Sequence, residues 1–190
     1  IRSAIKGLTR QGLTTVDYSS GRTMSVEAAV RMNVVTGVNQ TALQLQETMA
    51  DEMDSDLVET TAHSGARPSH AKWQGKVFSR SGKSKKYPDF RRATGYGTGP
   101  GLGGWNCRHS FHPYFEGMAR TYGAGELKKL EEKSITYNGE KLTEYEASQR
   151  QRYMERQIRR WKREQQAMKA AGQPQEEAKA KLKEWRALQS

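Results

Sequence analysis

The sequence is poor in the features that stabilise small domains by themselves. Hydrophobic residues make up 34% of 190, and the mean hydropathy is -0.94. That is lean for a compact globule and points to a modest core carrying solvated or partner-covered elements. No apolar run approaches the ~20 residues of a membrane span. One cysteine, Cys107, excludes an intrachain disulfide framework and fits a reducing compartment. No signal-peptide pattern is visible. The chain starts at Ile1 rather than Met, which leads us to expect further residues upstream.

Positive charge is abundant. There are 32 Lys and Arg against 21 Asp and Glu, a formal net charge of +11. The excess is uneven: residues 61–108 hold ten basic residues and one acidic residue, whereas residues 1–60 hold five basic and eight acidic. A concentrated positive field of this kind suits nucleic acid or an acidic protein surface. Aromatic residues are 8% of the chain and include four Trp, so it is not simply a basic tail.

Periodicity predicts an α+β fold in which long helices flank a small, loop-rich β core. Residues 1–16 read as a helix end and a short strand, with a turn at Ser19-Ser20-Gly21. A long helix is expected over 25–53. It is capped by Ser25, with Val26, Ala29, Val30, Val34, Val38, Ala42, Leu45 and Met49 at helical spacing. Strands are expected at 57–62, around Val77–Phe78 and at 110–115, with a short helix at 125–133. Asn138-Gly139 marks a hairpin turn. Thr143 with Glu146 forms a capping box that opens a helix to about Ala171, stopped by Gly172 and Pro174. Met154, Ile158, Trp161, Gln165 and Met168 make its seam. A last helix at 174–188, with Ala178, Leu182 and Trp185 on one face, completes a helical hairpin. These elements suggest a core domain over 1–142 and a basic helical hairpin over 143–190.

All four histidines and the only cysteine lie within fifty residues. Zinc accepts neutral imidazole and thiolate, so His63, His70, Cys107 and His109 are candidate ligands and zinc the candidate cofactor. The spacing matches no familiar zinc module, and the plainer reading is a hydrogen-bonded loop network around a small buried thiol. A nuclease using His63, His70 and His109 with Arg67 is the enzymatic alternative. A Cys107–histidine nucleophile lacks an orienting acid. In GYGTGPGLGG, Gly99, Gly101 and Gly104 fit G-x-G-x-x-G. No strong strand precedes and no helix follows, so the run reads as a loop needing positive φ and close backbone approach. Glu144-x-Glu146 resembles the paired glutamates of ADP-ribosyltransferases, but helix capping explains Glu146.

Arg67, Lys72, Lys76, Arg80, Lys83, Lys85, Lys86, Arg91 and Arg92 alternate with Trp73, Phe78, Tyr87 and Phe90. Cations interleaved with aromatics suit phosphate contact with stacking, which makes these nine the candidate DNA-binding set. The alternative is a solvated loop that docks on acidic protein. The run 149–163, QRQRYMERQIRRWKR, is a basic helix face, most simply a solvated one.

Three blocks, HSGARPSHAKWQGKVFS, TGYGTGPGLGGWNCRHSFHPYFEG and YEASQRQRYMERQIRRWKRE, together resemble the phage minor capsid protein 2 family. That family is related to the Mu F-like head morphogenesis proteins. The resemblance spans roughly residues 13–170. It implies a structural protein of a tailed phage or prophage, in few copies, acting at the portal or inner capsid surface. Portal and capsid proteins and phage DNA would be its partners. Its place would be the phage head in the virion, and the host cytoplasm during assembly. No catalytic residues transfer. The motif does, including Arg67, Trp73, Gln74, Asn106 and Arg108 as structural positions. Arg67 and Arg108 are the expected organisers, since a guanidinium offers five donors to loop carbonyls.

Overall fold

The structure is a computed structural model that describes residues 6–7 and 15–189. Of the helix end expected at the start, Lys6 and Gly7 are helical. The rest of that segment, through residue 14, lies outside the described residues. The architecture is mixed helix and small sheets, an α+β fold. The chain packs into two compact units, residues 30–145 and residues 1–29 with 146–190.

In the second of these units, β1 (Thr15–Asp17) and β2 (Thr23–Ser25) form an antiparallel hairpin. Its turn carries Gly21 at φ 76°. Helix α1 (Val26–Glu52) follows directly. Ser25 Oγ accepts the Ala28 N–H at 3.3 Å, an N-cap of the expected kind. The helix stops at Asp54, at φ 51°, where the N–H groups of Asp54 and Ser55 return to the carbonyls of Asp51 and Ala50. That is a Schellman ending, with Asp in the left-handed position that glycine usually takes.

A three-stranded sheet centres the 30–145 unit. β3 (Leu57–Thr60) pairs antiparallel with β4 (Val77–Ser79) on one side and β5 (Phe111–Tyr114) on the other. Short helices α2 (Pro68–Ala71) and α3 (Phe90–Thr94) interrupt the loops, and neither was legible as a helix from periodicity. At four or five residues they are set locally, α3 by Asp89 accepting the Arg92 N–H and α2 by Pro68 in its first turn. Leu43, Ala50, Val58, Trp73, Phe78, Phe90, Leu102 and Phe111 make the core, with Tyr96 packed against it. α4 (Ala124–Lys129) precedes the hairpin of β6 (Ile135–Tyr137) and β7 (Glu140–Leu142). Asn138 and Gly139 have φ 49° and 79°, as a two-residue primed turn requires.

Helix α5 (Glu144–Ala170) starts one residue after Thr143. It closes with Gly172 at φ 63° and Gln173 N–H bonded to the Met168 carbonyl. α6 (Glu176–Gln189) follows. Ile158 and Trp161 pack with Ala178, Leu182 and Trp185, and of the expected seam Ile158, Trp161 and Met168 are buried while Met154 and Gln165 are half-buried. Glu164 is also buried, and Lys6 Nζ lies 3.6 Å from its carboxylate.

The apolar row at helical spacing in α1 is not the face that packs inward. Of its eight residues only Ala29 is buried, and Val30, Val34 and Val38 are 55–69% exposed. The buried face instead carries Met32, Thr36, Leu43 and Ala50. Asn39 and Gln40 lie among them and donate to loop carbonyls. Hydrophobic periodicity scores apolar rows and cannot detect a face selected partly for its amide donors. Leu43→Ala is therefore expected to cost about 2–5 kcal/mol in chemical denaturation. Val34→Ala should stay within about 0.5 kcal/mol.

Candidate functional site

The candidate ligands converge because the loops that carry them are anchored at both ends. β3 leads into His63. Pro68 opens α2, which carries His70, and the turn that follows carries Trp73 and Gln74. The glycine loop then passes beneath. A Cβ on Gly101 would stand 2.0 Å from the Gly95 carbonyl oxygen, and one on Gly104 would stand 2.0 Å from that of Gly99. Only glycine permits this approach. The loop delivers Cys107 and His109 just ahead of β5, and α1 holds them there. Asn39 Nδ2 donates to the carbonyls of Cys107 (3.1 Å) and His109 (3.3 Å), and Gln40 Nε2 to that of Gly103 (3.2 Å).

At the centre, His70 Nδ1 and His109 Nδ1 are 3.4 Å apart, and Cys107 Sγ is 3.7 Å from each. All three residues are at most 2% exposed. His70 Nε2 faces the Pro100 carbonyl at 2.9 Å and His109 Nε2 faces Gln74 Oε1 at 3.1 Å. Trp73 packs against both rings at 4.7 Å. His63 lies over His109 with ring centroids 4.2 Å apart, and its Nδ1 donates to the Ser64 carbonyl at 2.7 Å. Burial pushes His109 down to about 3, and the charges of His63, His70, Arg108 and Arg67 push the same way. Burial also lowers His70, against the raising effect of the Pro100 carbonyl. Both rings are thus neutral at physiological pH.

Arg67 Nη2 donates to the Trp105 carbonyl at 2.6 Å and so ties one loop to the other. Arg108 is exposed and its side chain makes no hydrogen bond among the described residues. Asn106 adopts φ 53° and its N–H donates to Thr36 Oγ1. Sequence reasoning missed the guanidinium that bridges segments most completely, Arg120. It donates through Nε to Glu59 Oε1 at 2.9 Å and through Nη2 to the Gly75 carbonyl. Thr121 adds its N–H and hydroxyl to Glu59 Oε2. Glu59 sits in a strand with a charged side chain at 1% exposure, and only the fold supplies its partners.

The nine candidate DNA-contacting cations separate by environment. Arg80 pairs with Asp51 at 2.6 Å, Arg91 with Glu47 at 3.0 Å, and Lys86 with Glu116. Arg67 and Lys76 donate to backbone carbonyls. Lys72, Lys83, Lys85 and Arg92 are exposed and have no acidic partner among the described residues.

The whole chain, residues 1–190, matches the model of the family described as phage minor capsid protein 2. The chain belongs to the phage minor capsid protein 2 family. It is a phage structural protein whose place is the virion. It is 30% identical over 164 residues to a "Structural protein" of Lactococcus phage LL-H, covering 84% of this chain and 41% of that protein. It is 39% identical over 85 residues to a "Structural protein" of Lactococcus phage mv4, covering 45% of this chain and 61% of that protein. The chain therefore spans about two-fifths to three-fifths of the relatives' length. No solved structure matches it.

Burial raises the Glu59 carboxyl, but the bonds from Arg120 and Thr121 outweigh it and hold the group below its ordinary 4.5. Asp56 is likewise held below its ordinary value, burial being outweighed by Ser79, Ser81 and Arg80. A depressed carboxyl contributes stability that is complete above its unfolded value and is lost as pH falls through the folded one. Wild-type stability should therefore fall as pH drops below about 4.5. Glu59→Gln should flatten that acid limb in urea denaturation at stepped pH, and Asp56→Asn should flatten it further.

Proposed function

We propose that this chain is the structural, non-catalytic part of a tailed-phage minor capsid protein. It acts at the portal or inner surface of the head and contacts DNA electrostatically. The observation that carries the DNA contact is the set of exposed cations without an acidic partner among the described residues, Lys72, Lys83, Lys85 and Arg92, in the most basic segment of the chain. The family supplies the setting. The exposed apolar row of α1 suits a helix covered by another structural protein of the same particle, and the portal protein is the partner we assign to it. Assembly of that contact would take place in the host cytoplasm.

Burial favours this reading over a virion-delivered nuclease. A general acid and base need access to a phosphodiester, and His70 and His109 are closed off by α2, the glycine loop and α1. Contacts to DNA and to an acidic protein both weaken with salt, so direct binding to DNA is what separates the two partners. Binding to duplex DNA should weaken with salt by about 0.9 log units per log unit of salt for each phosphate contacted. Replacing Lys72, Lys83, Lys85 and Arg92 together with Ala should flatten that slope by about three to four. Fluorescence anisotropy over a salt series reads both. DNA binding that is absent, or identical in the quadruple variant, would sink the proposed contact. Antibody labelling outside the head and away from the portal would sink the proposed location.

A further inference from the structure

Hydrogen bonds around the buried histidines fix which ring nitrogens carry protons. The Pro100 carbonyl only accepts, so His70 Nε2 is the protonated nitrogen of its ring. The His63 backbone N–H donates at 3.2 Å to the same Gln74 atom that His109 Nε2 faces. That atom must be the carboxamide oxygen, so His109 Nε2 also carries the proton. Two rings that each carry their proton on Nε2 then turn bare Nδ1 lone pairs toward each other across 3.4 Å. No hydrogen bond joins two such atoms, and the single thiol proton of Cys107 can satisfy only one of them. A cation converts this repulsive arrangement into bonds.

The dimensions say which cation. Tetrahedral zinc, with Zn–N of about 2.0–2.1 Å and Zn–S of about 2.3 Å, has N···N edges of about 3.4 Å and N···S edges of about 3.6 Å. The observed edges are 3.4, 3.7 and 3.7 Å. Imidazole and thiolate without carboxylate is a zinc donor set rather than a magnesium or calcium one. Each ring also carries the outer partner that ligating histidines have: Pro100 O for His70 and Gln74 Oε1 for His109. His63 shows the same pattern, with Nδ1 donating to Ser64 O, and its Nε2 is buried without a hydrogen-bond partner among the described residues. Its donor atom is not part of the tight triangle formed by His70, Cys107 and His109. This ring, stacked on His109, is the remaining imidazole beside the triangle and the one available for a fourth position.

We propose that His70 Nδ1, His109 Nδ1, Cys107 Sγ and His63 Nε2 form a four-coordinate structural zinc site. It would fasten the glycine loop and the 105–109 segment to α2 and β3. Binding deprotonates the Cys107 thiol and releases that proton to solvent. With four protein ligands and no open position, the site would order loops rather than activate water. This inference is independent of the DNA contact, since either can fail without the other.

The test uses the full chain, stripped with chelator and reloaded with Zn²⁺ or Co²⁺. Elemental analysis should return about one zinc per chain, and removing it should lower the melting temperature. Co²⁺ should give the intense visible bands of a tetrahedral ion and a near-ultraviolet thiolate-to-cobalt band. Cys107→Ser should abolish the thiolate band. Gln74→Ala should keep it while weakening Co²⁺ affinity about ten- to a hundredfold. His63→Ala should also keep the band and weaken affinity. Stripped wild-type protein that takes up neither ion, or a Co²⁺ spectrum indifferent to Cys107→Ser, overturns the site. Unchanged affinity in His63→Ala overturns its fourth ligand. The wild-type reloading decides the matter even where a variant fails to fold.

Discussion

Buried loops have to satisfy their carbonyl groups without a sheet or helix to do it, and this protein meets that demand with side-chain donors. His70 serves Pro100, Gln40 serves Gly103, Arg67 serves Trp105, Asn39 serves both Cys107 and His109, and Arg120 serves Gly75. An orphaned buried carbonyl costs roughly what a lost hydrogen bond does. Each of these donors is thus bound to a particular loop conformation. The three-stranded sheet is too small to fix the loops by itself, and the glycine run can approach its neighbours closely only because the donors hold it there. The convergence of His70, Cys107 and His109 is a consequence of this web.

The same economy governs charge. The most basic segment is not one uniform patch. Three of its nine candidate cations are neutralised by Asp51, Glu47 and Glu116, the first two of which come from α1. Two more are committed to backbone carbonyls. What remains for a partner is a smaller set of exposed lysines and one arginine. Exposed ion pairs of this kind contribute little to stability, so their main effect is to shape the field that a partner meets.

A chain with a lean core and an exposed apolar row suits a component of a particle, where other chains supply the missing burial. The family to which the chain belongs is one of minor capsid proteins. The helical hairpin of α5 and α6 buries a narrow seam and leaves most of its basic residues in water.

The approximate limits of the three long helices, the Asn138-Gly139 turn, most of the α5 and α6 seam and the α+β class were legible in the sequence. Each depends on residues close in the chain, through caps, turn geometry and periodicity. The clustering of histidines and cysteine was legible too, but only as proximity in sequence. Tertiary structure decided which face of α1 is buried, because Asn39 and Gln40 had to meet carbonyls some sixty to seventy positions away. It decided that Arg120 rather than Arg108 bridges segments, because its acceptors, Glu59 and Gly75, lie 61 and 45 residues distant. It also decided the protonation of the buried rings, since Pro100 and Gln74 reach them only across the folded loops. Local rules write elements into a sequence, whereas the pairing of donors with distant acceptors exists only once the chain has closed on itself.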